Sequence, residues 1–124
     1  MEIGAKSTST LVVTEQFTAA VMGSGDLPVL ATPAMIALME NAAMMAVAEA
    51  LPEDQTTVGS LMNASHLKPT AVGDTVSATA TLVAAEGRKL TFRVEAHDSE
   101  GLIGEGDHVR YIVSREKFLA KLKR

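Results

Sequence analysis

The chain has 124 residues, 47% of them apolar, a formal net charge of −4 and no cysteine. That length suits one domain, read here as spanning 1–124, and the apolar content is enough for a core, which argues against disorder. Disulfides and thiol chemistry are excluded, and an acidic chain with only 3% aromatic residues and no basic stripe is a poor match for nucleic acid.

Residues 1–9 are polar and read as loose. They lack the apolar core of a signal peptide, and the longest purely apolar run, Ala42–Ala48, is far short of a membrane span. A cytoplasmic protein that does not engage membranes is the expectation. Leu11–Thr18 alternates weakly and reads as a first strand. Met22–Leu27, MGSGDL, is a short Gly/Asp loop. Thr32-Pro33 is a helix-start signal, because Thr can cap and Pro fits the first helical position. The helix is expected from about Pro33 to Leu51, ending near Pro52.

Four β segments follow, Val58–Lys68, Asp74–Ala85, Lys89–Asp98 and Leu102–Ser114, joined by the turn-like sequences AVGD, EGRK and DSEG. The C-terminal REKFLAKLKR suits a short basic amphipathic helix. One helix and an antiparallel sheet make an α+β two-layer domain. The helix is too apolar for a single covering sheet, so a second copy is expected to bury the surplus, giving a homodimer.

Alternation assigns faces to the strands. Val58, Met62, Ala64 and His66 share a face read as buried. Val76, Ala78, Ala80, Leu82 and Ala84 face the core, as do Leu90, Phe92, Val94 and Ala96, leaving His97 at the surface. On the last strand Gly104, Gly106, His108, Arg110 and Ile112 share a face. Two strand glycines there signal a bulge or a close backbone approach. His108 reads as part of a solvated face; Arg110 fits that reading or a polar network beside a site equally well.

Glu40 is the one ionisable side chain within Thr32–Ala48. A carboxylate in such surroundings is usually paired, protonated or functional. His66 lies among small and apolar residues in MNASHLKP. A carboxylate, an imidazole and the Thr32 hydroxyl together suit hydrolysis, although each also has a plain structural reading: Glu40 held by a backbone amide or Arg110, His66 by a carbonyl, Thr32 as a cap. Thr32 and Glu40 are eight residues apart, roughly 12 Å along a helix. To act together they need His66 or substrate between them, or a contribution from a second chain. No HxxxH or HExxH spacing or ligand cluster points to a metal.

The pieces VLATPAMIALMENAA, TTVGSLMNASHLKP, VAAEGRKLTFRVEAHD, IGEGDHVRYIV and EKFLAKL, in this order, resemble the hotdog-fold acyl-CoA thioesterases, in the branch of the fluoroacetyl-CoA thioesterases. The resemblance covers about Leu27–Leu122 and implies a hotdog fold, a sheet wrapped around one central helix. It implies acyl-CoA hydrolysis without metal or bound cofactor, with Thr32, Glu40 and His66 at the positions of that branch's Thr/Glu/His catalytic set. Gly59 and Arg110 match positions near that site, and Lys68, Arg88 and Lys89 are candidates for the CoA phosphates. The resemblance also implies a difference: fluoroacetyl-specific members carry a longer, aromatic-bearing segment before the helix where this chain has MGSGDLP, so a broader acyl-CoA specificity is the reading taken. A non-catalytic acyl-CoA-binding module and an enoyl-thioester hydratase or dehydratase are the alternatives.

Overall fold

A computed structural model describes residues 1–123. Strands β1 (Lys6–Val12), β2 (Gln55–His66), β3 (Thr75–Glu86), β4 (Lys89–Asp98) and β5 (Gly101–Ser114) form one antiparallel sheet in the order β1-β3-β4-β5-β2. Helices α1 (Ala19–Met22), α2 (Thr32–Ala48) and α3 (Arg115–Ala120) complete the α+β fold. The long helix α2 lies on one face of the sheet, and β1 and β2 are its two edges.

The helix begins where Thr32-Pro33 directs. Ala31 occupies the N-cap in extended conformation and offers no side-chain cap, so Thr32 is not the cap that was expected and its hydroxyl is released for another partner. Ala34, Met35, Leu38, Met39, Ala42, Ala43 and Val47 are buried against the sheet. The helix is not enclosed all round: Met45 remains 50% exposed, and Ala37 and Ala48 are also open. It stops at Ala48, short of the expected Leu51, with Glu49 as C-cap.

Two expectations at the N-terminal end are corrected. The first strand is Lys6–Val12, not Leu11–Thr18, so residues 6–9 are not loose. Two of its hydroxyl side chains make polar contacts: Thr8 and Thr79 hydroxyls lie 2.7 Å apart, and the Ser9 hydroxyl donates to Asn41 at 2.7 Å. The stretch beyond it turns into a short 3-10 segment, Glu15–Phe17, and α1.

The inward sets of β3 and β4 are as expected from Val76 to Leu82 and from Leu90 to Ala96. In β2 the register against β5 shifts between Gly59 and Leu61. One extra residue, Ser60, reverses the alternation. Val58 therefore does not share a face with Met62, Ala64 and His66; Thr57 and Gly59 do. On β5, His108 and Arg110 are buried, not solvated. Their strand neighbour Gly106 is obligatory, since a Cβ there would overlap the Asn63 carbonyl oxygen and lie 2.5 Å from Ala64 Cα.

Candidate active site

Two polar clusters lie on the α2 side of the β2–β5 ladder. The first joins the beginning of α2 to the end of β2. Thr32 Oγ1 and His66 Nδ1 are 2.7 Å apart. The His66 ring is half-buried, and its Nε2 is a buried nitrogen with no hydrogen-bond partner. Burial pulls the His66 pKa below the ordinary histidine value, and the backbone at Lys68 opposes this only in part. A cavity of about 230 Å³ opens here, lined by Ala19, Ser24, Leu30, Thr32, His66 and Lys68, among others.

The second cluster lies two helical turns further along α2. Glu40 Oε2 is 3.6 Å from Arg110 Nη1. Arg110 donates from Nε to the Thr57 hydroxyl at 2.8 Å and from Nη2 to the Thr57 carbonyl at 2.9 Å. Its Nη1 is 3.2 Å from His108 Nε2, and His108 Nδ1 is 2.7 Å from the Leu61 carbonyl. Burial lowers the Arg110 pKa, and Glu40 opposes that shift. Gly59 completes the cluster: a Cβ at that position would come within 2.6 Å of Glu40 Oε2.

Glu40 is therefore not the enclosed carboxylate its neighbours suggested. Its side chain is 42% exposed in the single chain and paired with a buried guanidinium. Thr32 and His66 do come together. Glu40 does not join them within one chain, in keeping with a rise of roughly 12 Å between residues 32 and 40. Gly59 and Arg110 sit with Glu40, and Lys68 with His66. Arg88 lines a different cavity of about 300 Å³ at the far end of the sheet, with Gln55, Ser114, Lys117 and Lys121; its neighbour Lys89 is exposed at the start of β4.

His108 and Thr57 are the members that the sequence reading left out. A signal for His108 was present: it shares its face with Gly104 and Gly106, and a face that tolerates only glycine is tightly packed, not solvated. Thr57 was hidden by the bulge. Among the described residues, no group of three or more His, Asp or Glu is placed to hold a metal ion, and no helix is long and apolar enough to cross a membrane.

Comparisons with known proteins agree with this architecture. Residues 13–116 match the family described as fluoroacetyl-CoA-specific thioesterase. The fluoroacetyl-CoA thioesterase of Streptantibioticus cattleyicolor is 41% identical over 95 residues, which is 77% of this chain and 68% of that protein. A crystal structure of a variant fluoroacetyl-CoA-specific thioesterase with fluoroacetate and CoA superposes with a TM-score of 0.89 at 35% identity, covering 95% of this chain and 99% of that one. A hot-dog-like protein from Thermanaerovibrio acidaminovorans shares the fold, with a TM-score of 0.89 at 24% identity over 98% of this chain and 90% of that one.

Proposed function

Because the chain belongs to the fluoroacetyl-CoA-specific thioesterase family, we propose that it hydrolyses acyl-CoA thioesters at a site shared between two copies of itself. The observation that carries this reading is the Thr32–His66 hydrogen bond at the cavity wall, with an unpartnered Nε2 on the same ring. In this reading the Thr32 hydroxyl acts as the donor to Nδ1, which puts the ring proton on Nε2, where it can serve a departing sulfur.

Glu40 is the base. It removes a proton from water, and the resulting hydroxide adds to the thioester carbonyl carbon. The C–S bond then breaks, the departing sulfur takes the proton of His66 Nε2–H, and Glu40 gives the proton it took from water back to Nε2, so that a carboxylic acid and CoA thiol are the products and both side chains are restored. Backbone N–H groups near Gly59 or at the start of α2 stabilise the carbonyl oxygen as charge develops on it.

The distance between the two clusters argues for a second copy. Strand β2 is an open edge, with Leu61 53% exposed on it, and the outer face of α2 carries Met45 and Ala37. An unpaired edge of this length is a template for pairing. A two-fold antiparallel pairing of β2 with β2 brings Glu40 and Gly59 of one copy toward Thr32 and His66 of the other. The same pairing carries Arg88 and Lys89 toward the opposite cavity, where with Lys68 they meet the CoA phosphates. This reading needs no metal or resident cofactor; CoA enters as part of the substrate, in the cytoplasm.

The acyl group accepted is broader than fluoroacetyl. The segment Met22–Pro28 carries no aromatic side chain, and the cavity is lined on that side by the small residues Ala19 and Ser24. Thiol release from a panel of acyl-CoA esters of increasing chain length tests both claims. Turnover of several members supports the reading, whereas binding of acyl-CoA with no thiol released removes it.

A further inference from the structure

His108 takes no part in the reaction outlined above, yet it is a fully enclosed titratable side chain, 1% exposed. Its hydrogen bonds define its state. The Leu61 carbonyl can only accept, so Nδ1, 2.7 Å away, carries the proton. Nε2 is then a bare acceptor, and Arg110 Nη1 donates to it at 3.2 Å. The other two guanidinium nitrogens are fixed by Thr57, through its hydroxyl at 2.8 Å and its carbonyl at 2.9 Å. With Nε, Nη2 and one side of Nη1 held, the remaining Nη1 hydrogen is turned toward Glu40 Oε2, 3.6 Å away.

We propose that His108 is a positioning residue for thioester hydrolysis: through Arg110 it fixes the place of the Glu40 carboxylate of its own chain. This rests on the reading of Glu40 as the base. The Phe92 ring packs beside His108 with centroids 6.3 Å apart, and the charged groups facing it are Arg110 on its own strand and Glu40 on α2; β2 presents the Leu61 carbonyl, and β4 presents Phe92. Gly59 leaves the space into which the carboxylate is held.

Acid would undo the arrangement. A proton on Nε2 faces the Nη1 donor with a second donor and a second positive charge, and Arg110 must turn away. Burial, helped by the Arg110 charge, holds the His108 pKa below the ordinary value against the opposing effects of the Leu61 carbonyl and Glu40. The relay thus stays intact through neutral pH.

The test compares two substitutions. The Gln carbonyl in His108→Gln reaches the position of Nε2 and can accept from Arg110; the shorter side chain in His108→Asn reaches only the position of Nδ1. Steady-state thiol release should show kcat for His108→Asn lowered roughly tenfold or more with KM nearly unchanged, and His108→Gln recovering most of the loss. In a Glu40→Gln background, His108→Asn should cost nothing further, because its effect passes through that carboxylate. A loss of the same size in both backgrounds, or none in either, overturns the role of His108. Near-native activity of Glu40→Gln alone overturns the base assignment and His108's role with it, so the two failures are distinguishable. If His108→Asn does not fold, nitrogen NMR of the unmutated protein still decides. An Nδ1–H tautomer with unprotonated Nε2 at neutral pH supports the relay, and an Nε2–H tautomer overturns it.

Discussion

Thr32 Oγ1 and His66 Nδ1, 2.7 Å apart, tie the first turn of α2 to the last residue of β2. The bond fixes the ring at the wall of the cavity and leaves Nε2 as its unpartnered end. Removing the imidazole in His66→Ala, or the charge in Glu40→Gln, should each slow acyl-CoA hydrolysis by about a hundredfold or more, the loss expected of a principal proton-handling group. Thr32→Ser keeps the hydroxyl and should be milder than Thr32→Ala. Equal losses for the two would remove the hydroxyl from the mechanism.

Gly59 and Gly106 should respond differently to the same substitution. The Cβ of Gly59→Ala meets first the end of a partly exposed side chain, Glu40 Oε2, at 2.6 Å, and then His108 Cε1 at 3.2 Å and Arg110 Nη1 at 3.3 Å. The carboxylate can swing aside, and the ring and guanidinium need yield only slightly, so folding should weaken by about 1 kcal/mol, while hydrolysis falls roughly tenfold as the Glu40 carboxylate is displaced from Arg110. The Cβ of Gly106→Ala meets backbone atoms of Asn63 and Ala64, which cannot yield. That variant should lose roughly 3 kcal/mol or fail to fold, as overpacking against backbone does. Thermal melts alongside activity assays distinguish the pair; equal melting losses would contradict the contrast.

His66 and His108 contribute to the response of stability to pH. Both are held below the ordinary value of 6.5, chiefly by burial. The folded chain therefore binds these protons less readily than the unfolded one, so the stability is complete above the unfolded value and is lost as pH falls below about 6.5. The Asp74 carboxyl, held below 3.8 first by the Ser99 hydroxyl, acts only at more acid pH. Melting temperature should be level from about pH 8 to 7 and decline between about 6.5 and 5, with a shallower decline in His108→Phe. A melting temperature that rises on acidification across this window contradicts the assignment.

Much of this architecture could be read before any coordinates, and the misreadings have physical causes. The Thr-Pro helix start, the apolar run that follows and the alternation in β3 and β4 are strong local signals, and each led to the right element. The catalytic-looking trio was visible as residue types. The β1 strand was missed because KSTST carries its pairing preference in hydroxyls instead of apolar alternation. The Glu40 environment was misjudged because composition along α2 says nothing of what β5 presents to it. Arg110 and His108 reach that helix only through the five-strand order, and the Ser60 bulge that brings Thr57 and Gly59 onto the inner face leaves no trace in simple alternation.

The open edge of β2 makes a further expectation. Leu61 is 53% exposed on that edge, and its outward side chain is clear of the contact its carbonyl makes with His108. Under the proposed β2–β2 pairing, Leu61→Lys places a charge beside the shared edge and should leave the chain monomeric in sedimentation equilibrium, with activity lost together with assembly. A variant that remains active as a monomer would show that one chain suffices.

Mixing two inactive variants tests the shared site most directly. When Glu40→Gln and His66→Ala chains are unfolded and refolded together, half of the dimers are mixed. Each mixed dimer then carries both substitutions in one site and neither in the other. Thiol release should return to about a quarter of the unmutated level at equal total protein, as random two-fold assembly requires. Activity no higher than that of the separate variants, with mixed dimers formed, would show that Glu40 and His66 do not act across the two copies.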